Sequence, residues 1–504
     1  GVCGDNRHGR NNQQYHAARG ISYIRLNNPS VTKDYNATSV TETANDAPLS
    51  YESGSIVGIT IDFDNKEIKY YKNGTLIRTD STPASYTPVD SSLYFLAFRT
   101  NDGASPLGSN WADVIANFGQ NPTFSGQITA GTNADGNGKG LFKYAPPTGF
   151  LALCEDNLST PAIADPGKNF KCVLYSGDNS AGRRISDVGF QPDLVWVKSR
   201  NTNTSHILTD SVRGIGHQIS ADDSAVEVDS GTFYLNGFAD NGFDLGDGAN
   251  SGGNTNGRNY VAWCWKAGGA AVSNTDGSIT TQVSVNQTAG FSIGTFTGNI
   301  ANTQTIGHGL GKVPSMIIVK ERTGNSGWGV YHKDRGNTKV SYLNSSDPEY
   351  TESGDGSSWN TTDPTSSVFY VGKNGATNDN TLVFYAWAEI EGYSKFGSYV
   401  GNGGADGTFV YCGFKPAWVM VKRVTTGASE GWTIFDSSRG PDNPNPKQIY
   451  ANASIAEGDA SGRYKDFVSN GFKVRGTSGE QNTSGITYIF AAFAESPFQT
   501  ANAK

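Results

Sequence analysis

The chain has 504 residues and a net charge of −8, with 63 Gly, 2 Met and only 17% charged residues. That length corresponds to roughly three to four domains. The composition excludes a basic nucleic-acid-binding stripe, a sustained coiled coil and an apolar run of the roughly 20 residues needed to cross a membrane. With 9 Trp, 23 Tyr and 25 Phe, most regions have something to bury, and the Gly/Asn/Asp/Ser/Thr-rich background suits many short strands joined by tight turns. No segment has a helical period.

The chain opens Gly1-Val2-Cys3-Gly4, without a Met, as though inside a strand already under way. This leads us to expect a longer protein upstream. The cysteines are Cys3, Cys154, Cys172, Cys264 and Cys412. An odd number without a CxxC pair points to buried free thiols and a reducing site of assembly, with neither a disulfide framework nor a zinc site.

In the first domain, Ile59, Ile61 and Phe63 alternate with polar residues, as on a half-buried strand. Ile68, Tyr70 and Tyr71 make a second strand, Asn73-Gly74 a hairpin turn, and Leu76-Ile77 a return strand. Tyr94–Phe98 and Val114–Gly119 read as buried closing strands. Gly58, Asp62, Asp64, Tyr71-Lys72-Asn73-Gly74 and Asn117-Phe118-Gly119 together resemble the second half of a SPRY (B30.2-type) domain over residues 1–125. The resemblance implies a bent β-sandwich whose loops bind a partner, usually a protein, with the early strands upstream of Gly1. Residues 126–165 read as a Gly/Pro linker that includes the extended joint Tyr144-Ala145-Pro146-Pro147.

The strongest signal is internal repetition, with three copies expected at 166–270, 288–396 and 397–498. Each has an aromatic-x-Gly turn, at Tyr175, Phe296 and Tyr399. Next comes a Pro-led apolar strand ending in a base, at Pro192–Lys198, Pro314–Lys320 and Pro416–Lys422. A strand ending in Arg-Gly follows, carrying Asp210 with Arg213, His332 with Arg335 and Asp436 with Arg439. The last landmark is an aromatic strand, at Tyr260–Trp265, Leu382–Trp387 and Tyr488–Phe493. The fold class expected is all-β, with tandem β-sandwich domains: one incomplete SPRY-like domain and three related repeats. Lys266–Gln287 reads as a joint, and copies two and three are expected to pack directly.

The phrases APPTGFLALC, PDLVWVKSR, DSVRG, NYVAWCWKAGG and GYSKFGSYVGNG, over about 144–498, resemble an uncharacterised repeat family in virion proteins of marine bacteriophages. This resemblance implies a virion structural or adhesion role without naming a ligand.

Several segments are candidates for chemistry. Gly427-Ala428-Ser429-Glu430-Gly431 fits G-x-S-x-G, but a β segment follows where a nucleophile elbow needs a helix. Asp240–Gly248 and Asp135-Gly136-Asn137-Gly138 could offer oxygen ligands to Ca²⁺ but lack EF-hand spacing and read as solvated turns. No cofactor is indicated. The repeated Asp/His-x-x-Arg-Gly element could bind a sugar or acidic ligand three times over, or fix a strand corner. Repetition in every copy favours the corner. Trp328, Trp359 and Trp432 sit among Gly, Ser and Thr and are candidates for stacking on a sugar ring, or for packing across a sheet.

The expected function is therefore a non-catalytic virion fibre, spike or surface-decorating component that contacts itself, other virion proteins and host surface polysaccharide or protein. A secreted or cell-surface carbohydrate-binding protein of a marine bacterium is the alternative, located outside the cell, and a polysaccharide-degrading enzyme is third. Neither nucleic acid nor membrane insertion is expected.

Overall fold

The computed structural model describes residues 31–36, 39–44, 56–62, 67–81 and 117–158, and 160–501 apart from 249–251, 300, 302, 355, 374–379, 426–428 and 460–461. The protein is all-β and separates into two compact units, Gly1–Ser159 and Thr160–Lys504.

In the first unit, Val57–Asp62, Glu67–Lys72 and Thr75–Ser81 form an antiparallel three-stranded sheet, in the order expected from the alternation of Ile59 and Ile61. The turn is Asn73-Gly74, with φ of 49° and 83°. Asn73 Oδ1 accepts the Ile56 N–H at 2.9 Å. Gly74 is favoured by its φ, and a Cβ there would lie 2.8 Å from Tyr144 Cδ1, so the Tyr144 ring would have to move to admit one. A separate hairpin pairs Val31–Asn36 with Ser39–Ala44. Phe63, Asp64, Tyr94–Phe98 and Val114–Ala116 lie outside the described residues.

The stretch expected as a linker is tied together by hydrogen bonds. Asn133 and Phe142 form a β-bridge, and Leu141 donates to the Gly119 carbonyl at 2.8 Å. Asp135 organises the turn. Its carboxylate accepts from the N–H groups of Asn137, Lys139 and Ala152 and from the Asn157 amide at 2.7–2.9 Å. Burial would raise its pKa, but these donors outweigh burial and lower it to about 2. Its acceptor capacity is engaged within the loop, so the turn expected to be solvated closes on a carboxylate that is itself buried.

The second unit contains the three copies, and each is a small β-sandwich. In copy one the main sheet runs Phe170–Ser176, Asn259–Trp265, Leu194–Ser199, Ile207–Asp210. Copy two repeats that order with Phe291–Thr297, Thr381–Trp387, Met316–Glu321 and Gly329–His332. Copy three repeats it with Ser394–Val400, Thr487–Pro497, Phe414–Arg423 and Thr433–Asp436. The register repeats too, pairing Tyr175 with Tyr260, Phe296 with Leu382 and Tyr399 with Tyr488. Each main sheet is backed by a smaller one of two or three strands, such as Leu235–Ala239 with Gly242–Leu245 in copy one. Asp240-Asn241 is the turn of that hairpin, and Asp244 makes a two-point contact to Arg184, so the first part of the stretch 240–248 is the turn and second strand of a hairpin.

The sequence of Lys266–Gln287 suggests a connecting joint. It instead supplies two strands, Val272–Asn274 and Thr281–Asn286, which extend the sheet of copy two.

Strand alternation explains how the copies assemble. One face of each main sheet enters a private core under its smaller sheet: Val195 and Val197 in copy one, Ile317 and Val319 in copy two, Val419 and Val421 in copy three. The opposite face enters one core common to all three, with Trp196 and Trp263, Met316 and Ile318, and Trp418 and Met420. Equivalent residues meet at its centre. Trp265 of copy one lies 6.3 Å from Trp387 of copy two and 5.7 Å from Phe493 of copy three, centroid to centroid. The Leu-Val-Trp-Val and Ile-Ile-Val strands are apolar throughout because each is buried on both faces. The copies therefore close on one another around a shared core, as the direct packing expected of copies two and three requires, and copy one joins them.

Candidate functional site

The repeated polar residues all lie at the joints between copies. In copy one, the Asp210 carboxylate caps the turn after its strand by accepting the Arg213 N–H at 2.8 Å, and it takes Arg213 Nε at 2.5 Å. Arg213 also donates to the Leu208 and His217 carbonyls. The remaining acceptor position on Asp210 is filled from copy two: the Tyr385 hydroxyl donates to it at 2.8 Å. Burial alone would lower the pKa of Arg213, but Asp210, Tyr385 and Glu227 outweigh it and hold the guanidinium charged.

Copy three repeats this arrangement. Asp436 accepts the Arg439 N–H at 2.8 Å and Nε at 2.5 Å, and Trp263 of copy one donates its indole N–H to Asp436 at 3.0 Å. Trp263, Tyr385 and Ala491 occupy the same position on the aromatic strand. Ala491 has no donor, and the copy facing it, copy two, carries His332 in place of Asp. His332 accepts the Asp334 N–H on Nδ1 and donates from Nε2 to the Phe490 carbonyl at 3.2 Å. Burial lowers its pKa to about 4, so it is neutral at pH 7. A carboxylate at this joint would have faced a carbonyl.

A second set of ion pairs follows the same circuit. Glu227 of copy one is gripped at two points by Arg322 of copy two, at 2.6 and 2.9 Å. Glu457 of copy three is gripped by Arg200 of copy one, at 2.9 Å for both bonds. At the third joint the residue equivalent to Arg200 and Arg322 is Val424, and Glu349 is paired with Arg335 of its own copy.

Three lysines complete the joints. Lys198 donates to the Ser454 carbonyl, Lys320 to that of Ser224, and Lys422 to that of Ser346, at 2.8–3.3 Å. Each lysine thus reaches a different copy. Burial lowers the pKa of each to about 8. His206, Trp328 and Trp432 are also equivalent. They contact the carbonyls of Tyr450, Ser220 and Tyr342 respectively, again one copy to the next.

These contacts place the repeated charged residues singled out from the sequence. Asp210, Arg213, Asp436 and Arg439 are buried corner and joint residues, as the corner reading implied, and His332 with Arg335 is their variant at the third joint. Trp328, Trp359 and Trp432 are 0%, 3% and 2% exposed, so none offers a free ring face, which corrects the sugar-stacking assignment in favour of packing. Gly427 and Ala428 lie outside the described residues, and the strand Thr433–Asp436 follows where an elbow needs a helix. Cys172, Cys264 and Cys412 are buried thiols, and burial raises the pKa of all three.

Sequence reasoning missed the acidic partners. Ser224-x-x-Glu227, Ser346-x-x-Glu349 and Ser454-x-x-Glu457 recur after the Arg-Gly element, and this fifth landmark was available. Among the described residues, no group of three or more His, Cys, Asp and Glu side chains is placed to hold a metal ion, and no helix is long and apolar enough to cross a membrane.

No curated protein and no solved structure matches the chain. One family does, and it spans all three copies and their joints over residues 165–497. The chain belongs to that family, described as a domain of unknown function, DUF7483.

Proposed function

We propose that this protein is a non-catalytic structural or adhesion component of a bacteriophage virion, exposed on its surface or on an appendage, where it contacts other virion proteins, further copies of itself and host surface glycans. One observation carries the non-catalytic part. The charged residues that recur in the copies, which a threefold binding or catalytic site would use, are engaged within the fold: Arg213 and Arg439 close corners on Asp210 and Asp436, Arg322 and Arg200 join copies through Glu227 and Glu457, and the three lysines reach carbonyls of other copies. Buried groups whose hydrogen bonds are satisfied by the fold itself build a scaffold. The virion assignment is supported by the likeness of the repeat phrases to virion proteins of marine bacteriophages.

Closure of the copies on a common core refines which component is favoured. A shaft gains length by stacking repeats end to end, whereas three copies around one core suit a terminal or decorating module.

Virion proteomics and immunogold electron microscopy of the phage test this reading. Labelling on intact particles is expected. A protein found only in the culture medium of a bacterium supports the secreted carbohydrate-binding alternative, and release of reducing sugar from host polysaccharide would overturn the non-catalytic assignment.

A further inference from the structure

Copy three carries a lysine inside its private core. Lys465, on the strand Tyr464–Val468 of the smaller sheet, is fully buried. Register aligns it with Leu235 of copy one: Lys465 pairs with Val474 on the strand of Phe472, as Leu235 pairs with Leu245 on the strand of Phe243. A lysine is almost never fully buried unless it is paired. The partner here is an uncharged amide, since the Lys465 amine donates to Gln481 Oε1.

Gln481 also departs from copy one. The Tyr399 hydroxyl donates to the Gln481 carbonyl at 2.8 Å, as the Tyr175 hydroxyl donates to the Gly253 carbonyl at 2.7 Å. Gln481 therefore stands where copy one has Gly253. A Cβ on Gly253 would lie 3.8 Å from Ile207 Cδ1. Copy three has the shorter Thr433 in place of Ile207, because Thr433 pairs with Val421 as Ile207 pairs with Val197. Three positions differ together, and the result is an amine and a primary amide in contact.

The surroundings of this pair are apolar. The amine lies 4.4 Å from the ring centroid of Phe435 and 5.9 Å from that of Phe472, and both rings are fully buried. Burial pushes the Lys465 pKa down to about 7, and the charge of Glu480 offsets only part of that effect. A lysine desolvated in this way is an activated nucleophile. Gln481 is 1% exposed, and its Nε2 has no hydrogen-bond partner.

We propose that Lys465 and Gln481 react with each other to form an amide cross-link inside copy three. The uncharged amine attacks Gln481 Cδ and forms the new C–N bond. The Cδ–Nε2 bond breaks, one proton passes from the attacking to the leaving nitrogen, and ammonia departs. Atoms and charge balance with no oxidant, metal or further reactant. Cδ carries the Oε1 that the amine already contacts, so the fold holds the two groups together and supplies the proximity that the reaction needs. No hydrogen bond to the fold has to break as Nε2 leaves. The link fastens the smaller sheet to the turn leading into Thr487–Pro497. Copy one, with Leu235 and Gly253 at these positions, has neither reacting group.

The test is mass spectrometry of the full chain after it has been held folded at mildly alkaline pH, where the buried amine is uncharged. The expected mass is that of the sequence less one ammonia. A succinimide at an Asn-Gly pair gives the same loss, so the digest decides. Trypsin is expected to leave Lys465 uncut and to release a branched peptide joining residues 464–473 to residues 476–504. Lys465→Leu, which installs the residue of copy one, is expected to lose the branched peptide while its thermal unfolding remains cooperative. A chain held unfolded in guanidinium chloride at the same pH is expected to form none. Cleavage after Lys465 with Gln481 intact, in the folded chain after prolonged incubation, overturns the proposal. A branched peptide formed equally in the unfolded chain overturns the claim that the fold drives the reaction.

Discussion

Trp263 in copy one donates its indole N–H to Asp436 in copy three at 3.0 Å, across 173 residues of sequence. This bond shows what the Asp-x-x-Arg-Gly element does. It turns a corner within its own copy and presents one carboxylate oxygen to the next copy. Asp210 does the same for Tyr385. Where the partner position holds Ala491, His332 replaces the carboxylate and bonds the backbone. The chain thus carries matched pairs at its joints.

The first prediction concerns those donors. Tyr385→Phe and Trp263→Phe each remove one donor from a buried carboxylate, at a cost of about 1–3 kcal/mol. Asp436→Ala costs more, about 3–5 kcal/mol, because it removes the nearest countercharge of the buried Arg439. Urea denaturation followed by tryptophan fluorescence measures both. Equal small losses for the three variants would contradict the assignment.

The second prediction separates the joints. In a double-mutant cycle, Arg322→Met with Glu227→Gln should show coupling of about 1 kcal/mol or more, as should Arg200→Met with Glu457→Gln. Val424→Met at the third joint should show none with Glu349→Gln. Coupling at that joint would mean the circuit is not as described.

The third prediction is alkaline stabilisation. Lys198, Lys320 and Lys422 have folded pKa values of about 8, below the usual 10.5. The unfolded chain therefore binds more protons than the folded one above pH 8, so stability rises with pH there. Buried thiols act in the opposite sense once unfolded cysteines ionise near pH 9, so the window is pH 8 to 9. A gain of roughly 2 kcal/mol is expected in total, after allowance for solvent screening. Lys422→Met should reduce the slope. A stability that falls across this window would contradict the burial of these groups.

The fourth prediction lies on the acid side. Burial lowers the pKa of His206 to about 3 and that of His332 to about 4. Below pH 6.5 the unfolded chain gains protons that these groups refuse in the folded state, so stability falls as pH drops from 6.5 to 5. The contribution is about 2 kcal/mol for each histidine. His206→Gln should flatten the decline by that amount when unfolding is measured at both pH values.

Much of the local structure was legible in the sequence. Period-two alternation located the sheet around Ile59 and Ile61, Asn73-Gly74 located its turn, and four ordered landmarks located the strands of each copy. These features are local, set by residues within a few positions of one another. The closure of the copies is not local. It depends on which face of a strand such as Leu194–Ser199 meets which other copy, and residues 76 or more apart in sequence form its bonds. The tryptophans misled for the same reason. Gly, Ser and Thr around Trp328 suggest exposure, yet its indole N–H reaches the Ser220 and Asp223 carbonyls of another copy. Lys266–Gln287 misled because its Gly-Gly and Asp-Gly pairs mark turns between strands as readily as a linker.

The central claim is that three copies share one core and joints and so form one cooperative unit. Hydrogen exchange of the full chain carrying Trp418→Ala tests it most directly. Trp418 packs on Trp263 and Trp265 of copy one and on Phe493 of its own copy. Its truncation should cost about 3–5 kcal/mol. The account predicts faster amide exchange in Asn259–Trp265 of copy one and Thr381–Trp387 of copy two, together with Thr487–Pro497 of copy three. Loss of protection confined to copy three, with the aromatic strands of the other copies unchanged, would contradict it.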